Sequence, residues 1–98
     1  MKVLYEQSDI LYVKESPPRL KVLKFLNSKQ EFVKTKEITN ALKIIRGNLY
    51  FHIKGLNKKA LVEFQRSTPR SLYVRITEKG KQVVEEIERK EKKGSTPS

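Results

Sequence analysis

Residues 46–80 read RGNLYFHIKGLNKKALVEFQRSTPRSLYVRITEKG, and this stretch decides the fold. Leu49, Ile53, Leu56 and Ala60 recur within roughly 40 degrees of one line at 3.6 residues per turn, which predicts a helix over about 46–59. Residues 61–66 and 72–76 alternate in polarity and are rich in β-branched and aromatic side chains. They predict two strands joined by Ser67-Thr68-Pro69-Arg70-Ser71, a hairpin with a basic, proline-bearing tip. Thr77 then predicts an N-cap for a last helix, whose apolar face is Gly80, Val83, Val84 and Ile87.

Upstream, Ser16-Pro17-Pro18 predicts a helix start, because the N–H that proline lacks has no partner in a first helical turn. Leu20, Val22, Leu23, Phe25 and Leu26 give that helix its buried side, and Asn27-Ser28 ends it. Phe32 and Val33 allow a strand of two or three residues. Thr35 is then placed as the N-cap of a helix turning Ile38, Ala41 and Leu42 inward, with Lys43-Ile44-Ile45 as a tight connection onward. Residues 1–16 form an apolar arm that leans towards a helix capped by Ser8. It packs on its own domain or against a second copy, and both options stay open. Residues 89–98 are too polar to bury anything and are expected to fray, which leaves 17–88 as the folded unit.

At 98 residues the chain suits one core. Lys and Arg number 22 against 11 acidic residues, a net charge of +11, and the excess is concentrated. Residues 46–76 hold seven bases and Glu63 alone among acids, and residues 17–45 hold seven bases and two acids. A merely solvated surface mixes signs, so a concentrated excess points to a polyanion. There is no cysteine and a single histidine, His52. Thiolate metal sites and cysteine nucleophiles are therefore excluded, and neither a metal, a cofactor nor an enzymatic activity is expected. The longest apolar run, Ile10 to Val13, is far short of the ~20 residues of a membrane span, and no secretion signal is visible. A cytoplasmic, nucleoid-associated location without membrane contact is expected.

Three helices, a hairpin and a closing helix are the order of a winged helix-turn-helix, a mainly α fold with a small β-hairpin (α+β). Gly47-Asn48-Leu49, His52-Ile53, Leu56, Leu61-Val62 and Tyr73 followed by Thr77-Glu78-Lys79-Gly80 resemble the small winged-helix transcriptional regulators of bacteria and archaea related to the MarR, ArsR and PadR groups. The resemblance covers about residues 17–88 and implies double-stranded DNA as partner. Three departures stand out: Ala60 where relatives have glycine before the first wing strand, Ile44-Ile45 in place of a hydroxyl cap, and Tyr50 and Phe51 at positions often small.

Stepping 100 degrees per residue from Leu49 puts Gly47, Tyr50, Phe51, Lys54 and Lys58 on the outer side of the helix. Arg46 and Asn57 fall on one flank and Asn48 on the other. Arg46 and Asn48 carry the donors and acceptors for guanine and adenine edges, and Tyr50 suits a thymine methyl or a phosphate. Gly47 lets backbone come close. Lys54 and Lys58 suit phosphate, as do Lys34, Lys36 and Lys43 around the preceding helix. Arg66, Thr68 and Arg70 place a basic wing for a narrow minor groove. The reading is a sequence-specific regulator binding as a homodimer, with no effector ligand assignable. A DNA-coating architectural or plasmid-partition protein, and a protein-interaction module anchored by Tyr50 and Phe51, are the alternatives.

Overall fold

The computed structural model describes residues 2–68 and 71–95. Among them the chain runs α1 (Gln7–Lys14), α2 (Pro17–Lys29), β1 (Val33–Lys34), α3 (Thr35–Leu42), α4 (Arg46–Lys58), β2 (Val62–Thr68), β3 (Ser71–Ile76) and α5 (Glu78–Ser95). The strands form one antiparallel sheet in the order β1-β3-β2, with Val33 opposite Val74 and Val62 opposite Ile76. Val22, Leu23 and Leu26 from α2, Ile38 from α3 and Leu49, Ile53 and Leu56 from α4 meet Val74 and Ile76 of the sheet and Val83, Val84 and Ile87 of α5 in a single core. The expected α+β architecture is therefore present, with the hairpin enlarged to three strands by the short strand at Val33.

Several local expectations change. The α2 start holds, with the Ser16 hydroxyl accepting the Arg19 N–H at 3.4 Å. Thr35 does not cap α3: β1 runs straight into the helix, and the N-cap is Lys34, still paired with Tyr73 of β3. Ala41 is exposed, because Ile38 and the half-buried Leu42 already fill the inward side of so short a helix. Ser8 lies inside α1. The cap there is Glu6, whose N–H donates to the Asp9 carboxylate at 2.8 Å. Ile10 and Val13 enter the core while Val3, Leu4 and Leu11 stay exposed, so the arm buries one side and leaves another uncovered. α5 runs past residue 88 to Ser95, where Glu86 pairs with Arg89 and Lys90 and Glu91 reaches Lys24 of α2 at 3.0 Å.

The junction between α4 and β2 explains the missing glycine. The Leu61 N–H bonds the Leu56 carbonyl and the Ala60 N–H the Asn57 carbonyl, both at 2.9 Å, the pattern in which the residue after the helix turns left-handed. Ala60 occupies that position with φ 61 and is exposed, not part of the helical stripe. A Cβ there costs about 1 kcal/mol. Ala60→Gly is expected to stabilise the domain by roughly 0.5–1 kcal/mol and to raise the melting temperature by about 3–6 °C, measured by circular dichroism.

Behind this junction the Thr77 hydroxyl donates to the Ala60 carbonyl at 2.7 Å and accepts the Gly80 N–H at 3.1 Å, as expected of a cap. The Lys79 ammonium donates to the Lys59 carbonyl at 2.7 Å and lies 3.4 Å from the buried Asp9 carboxylate. One lysine thus ties α1, the end of α4 and the start of α5 together. The base of the wing is fixed to the core, and the other end of α4 is left to face outward.

Candidate nucleic-acid interface

The exposed side of α4 is dictated by which residues its buried stripe uses up. Leu49, Ile53 and Leu56 are buried, so Arg46, Gly47, Tyr50, Phe51, Lys54 and Lys58 are carried to the solvent side, and all six are exposed. Asn48 is exposed as well. Asn57, expected on the groove side, is half-buried and donates its side-chain amide to the Val62 carbonyl at 3.0 Å, which ties α4 to β2.

The head of α4 is the meeting point of two clefts. One, of about 390 Å³, is lined by Thr35, Arg46, Gly47, Leu49, Tyr50, Arg66 and Leu72, and so joins α4 to the wing. The other, of about 570 Å³, is lined by Lys34, Thr35, Lys36, Thr39, Arg46 and Ser71, and joins α4 to the head of α3. Arg46 and Thr35 belong to both. Lys34, Lys36, Arg46, Gly47, Tyr50 and Arg66 are therefore gathered as the sequence suggested. Lys43 caps α3 in the turn before α4, left-handed at φ 56, and lines neither cleft. Thr68 is exposed at the end of β2, paired with Ser71, and Arg70 lies outside the described residues. Thr35, Thr39 and Ser71 were missed as site residues. Thr35 and Ser71 meet in one cleft because β1 pairs with β3, a long-range contact that local spacing does not encode, while the Thr39 hydroxyl donates to the Lys36 carbonyl within α3.

Electrostatics separates this face from the rest of the surface. Among the described residues, the acidic groups that form ion pairs take other cations as partners: Glu91 with Lys24, Asp9 with Lys79, Glu63 with Arg75, Glu78 with Lys81, and Glu86 with Arg89 and Lys90. Glu37, the acid closest in sequence to Lys36, faces Lys29 at 3.4 Å. Among the described residues no ion pair neutralises Lys34, Lys36, Arg46, Lys54 or Lys58. The Lys54 ammonium lies 5.4 Å over the Tyr50 ring, a contact that keeps its charge.

On the inner flank of α4, His52 meets Phe51 edge-on at 6.2 Å between ring centroids, and its Nδ1 is buried without a protein hydrogen-bond partner. Burial, and then the Arg19 guanidinium, push its pKa below the ordinary 6.5. The neutral imidazole is the form the fold prefers. Stability is therefore full above pH 6.5 and falls as acid protonates the unfolded chain first, levelling off only below the folded pKa. The melting temperature is expected to drop between pH 7 and pH 5, and His52→Gln to remove that part of the drop, in melts at matched ionic strength.

Residues 19–90 match a protein family described as a winged helix DNA-binding domain. No curated protein matches the chain in sequence. Among solved structures, a transcriptional regulator homologue from Pyrococcus horikoshii OT3 superposes with a TM-score of 0.74 at 24% identity, covering 87% of this chain and 88% of that one. MepR, a transcription regulator of the Staphylococcus aureus multidrug efflux pump MepA, superposes with a TM-score of 0.69 at 18% identity, covering 94% of this chain and 75% of its own. At such identities the likeness is one of fold.

Proposed function

The chain belongs to the winged helix DNA-binding domain family, and on that premise we propose that it is a sequence-specific transcription regulator that grips duplex DNA with the head of α3, the outward side of α4 and the wing. α4 enters the major groove, with Arg46 directed at a guanine edge and Asn48 at an adenine edge, while Lys54 and Lys58 hold phosphates on either side. Lys34, Lys36 and Lys43 hold phosphate at the head and the end of α3. The wing lays Arg66, Thr68 and Arg70 along the adjacent minor groove, where negative potential is strongest. The role is binding without catalysis, in the cytoplasm and on the nucleoid. A homodimer covers the exposed Val3, Leu4 and Leu11 and sets two copies of α4 about 34 Å apart on a palindromic site.

The observation that carries this reading is a set of five exposed cations, Lys34, Lys36 and Arg46 around one cleft and Lys54 and Lys58 further along the outward side of α4, that no ion pair among the described residues neutralises. Five phosphates neutralised per protomer, by Lys34, Lys36, Lys43, Lys54 and Lys58, give a slope for log affinity against log salt of about −4.5 for each protomer and about −9 for the dimer. Selection of duplexes from a random pool, followed by polarisation titrations from 50 to 300 mM salt, is expected to return a preferred site and a slope of that order. Equal, weak binding to every duplex contradicts a regulator, and a slope near zero contradicts the interface.

A further inference from the structure

Seven large apolar side chains are exposed among the described residues, and three of them, Ile45, Tyr50 and Phe51, stand at the head of α4. Phe51 is 72% exposed and Ile45 73%, on a surface that also carries Arg46 and Lys54. Water and phosphate both favour a polar side chain at these positions, so rings there call for an apolar partner group. Phe51 has one aromatic neighbour, His52, and Tyr50 has the Lys54 ammonium over its face. Neither contact covers the rings' outer sides.

Gly47 sits between them. On a helix surface, residues three and four apart are neighbours, so Tyr50 and Phe51 flank the bare backbone at Gly47. A Cβ built on Gly47 meets nothing within 4 Å, and the glycine adopts no positive φ. Neither packing within the chain nor backbone geometry needs glycine there, although alanine makes the better helix by ~1 kcal/mol. Bare backbone open to the outside, with two exposed rings one turn further along the helix, admits a small apolar group against the helix.

The major-groove edge of a base pair presents one such group, the thymine C5 methyl. We propose that Gly47, Tyr50 and Phe51 form a thymine-methyl receptor, so that the site this protein prefers carries thymine opposite the first two turns of α4. This rests on the DNA-binding reading above and goes beyond it by naming what the aromatic pair reads.

The probe is the duplex recovered by selection, prepared once with thymine and once with uracil at every thymine position, which removes only the methyl groups. The parent protein is expected to bind the uracil duplex about fourfold more weakly for each methyl it covers. Tyr50→Ala/Phe51→Ala, both changes being at exposed positions and checked by an unchanged melting temperature, is expected to bind the two duplexes equally. Gly47→Ala is expected to lose affinity for the thymine duplex while its melting temperature rises. Tight binding with no difference between thymine and uracil overturns the receptor and leaves the DNA reading intact. A difference that persists in the double variant also overturns it, since the methyl would then be sensed through DNA shape. An affinity unchanged by loss of both rings overturns the receptor as well. Failure to bind any duplex overturns both readings together.

Discussion

Gly80→Ala is expected to cost the domain about 3 kcal/mol or more and to lower its melting temperature by roughly 12–24 °C. A Cβ at Gly80 would stand 2.2 Å from the Leu61 carbonyl oxygen and 2.7 Å from Ile76 Cγ1. The oxygen is backbone at the start of the wing and already accepts the Thr77 N–H at 3.0 Å, so it has no direction in which to retreat. α5 must move away from the wing instead, breaking the Thr77 cap and opening the core at Val83 and Val84. Gly47, Gly55 and Gly80 make an internal comparison, since all lie in helices. At Gly55 the added methyl meets the Tyr12 hydroxyl, the far end of a side chain that can swing aside, and the cost is smaller. At Gly47 it meets nothing, and the sign reverses to a gain of about 0.5–1 kcal/mol. Thermal melts of the three single variants check the order. A Gly80→Ala protein melting within a few degrees of the parent contradicts the close approach of α5 to the wing.

Arg46→Glu is expected to weaken duplex binding on the order of 100-fold, the largest loss from any single position. Arg46 is the one cation lining both clefts, so it stands where the head of α3, the head of α4 and the wing converge. Glutamate there removes a forked donor and sets a repelling charge at the centre of the field, where a rim position loses only one screened contact. Lys90→Glu makes the same change in net charge on α5 and serves as the control. Its side chain pairs with Glu86 and is not part of either cleft. Losses that follow net charge alone, equal in both variants, reduce the interface to a general attraction. Arg46 is exposed and makes no ion pair among the described residues, and the Lys90–Glu86 pair is a surface i,i+4 contact worth about 0.5 kcal/mol, so both proteins are expected to melt within a few degrees of the parent.

Elements whose signals are local were legible in the sequence. Ser16-Pro17-Pro18 set the start of α2, the Leu49-Ile53-Leu56 spacing set α4, and Thr77 with Gly80 set the start of α5, because a cap or an apolar stripe depends on residues within one or two turns. Ala60 was legible too, as a residue standing where a left-handed turn prefers glycine. What escaped depended on distant partners. Thr35 lost its capping role because Lys34 pairs with Tyr73 across the sheet, and α5 outran its expected end as Glu91 reached Lys24. Asn57 shows the same limit within the site. Its angle on the helix put it beside the groove, but Val62, five residues on, returns close enough to accept its amide proton. The outward arc of α4 was readable from periodicity alone, whereas Thr35 and Ser71 came together beside it through the pairing of β1 with β3.

The face itself can be read without changing a residue, by lysine acetylation followed by mass spectrometry, with and without the selected duplex. Lys34, Lys36, Lys54 and Lys58 are expected to lose most of their reactivity when DNA is bound, while Lys24 and Lys90, paired with glutamates on α5, react as in the free protein. Protection that falls on Lys24 and Lys90, or that spreads evenly over all the lysines, would contradict the assignment of the head of α3 and the outward side of α4 as the surface that holds the double helix.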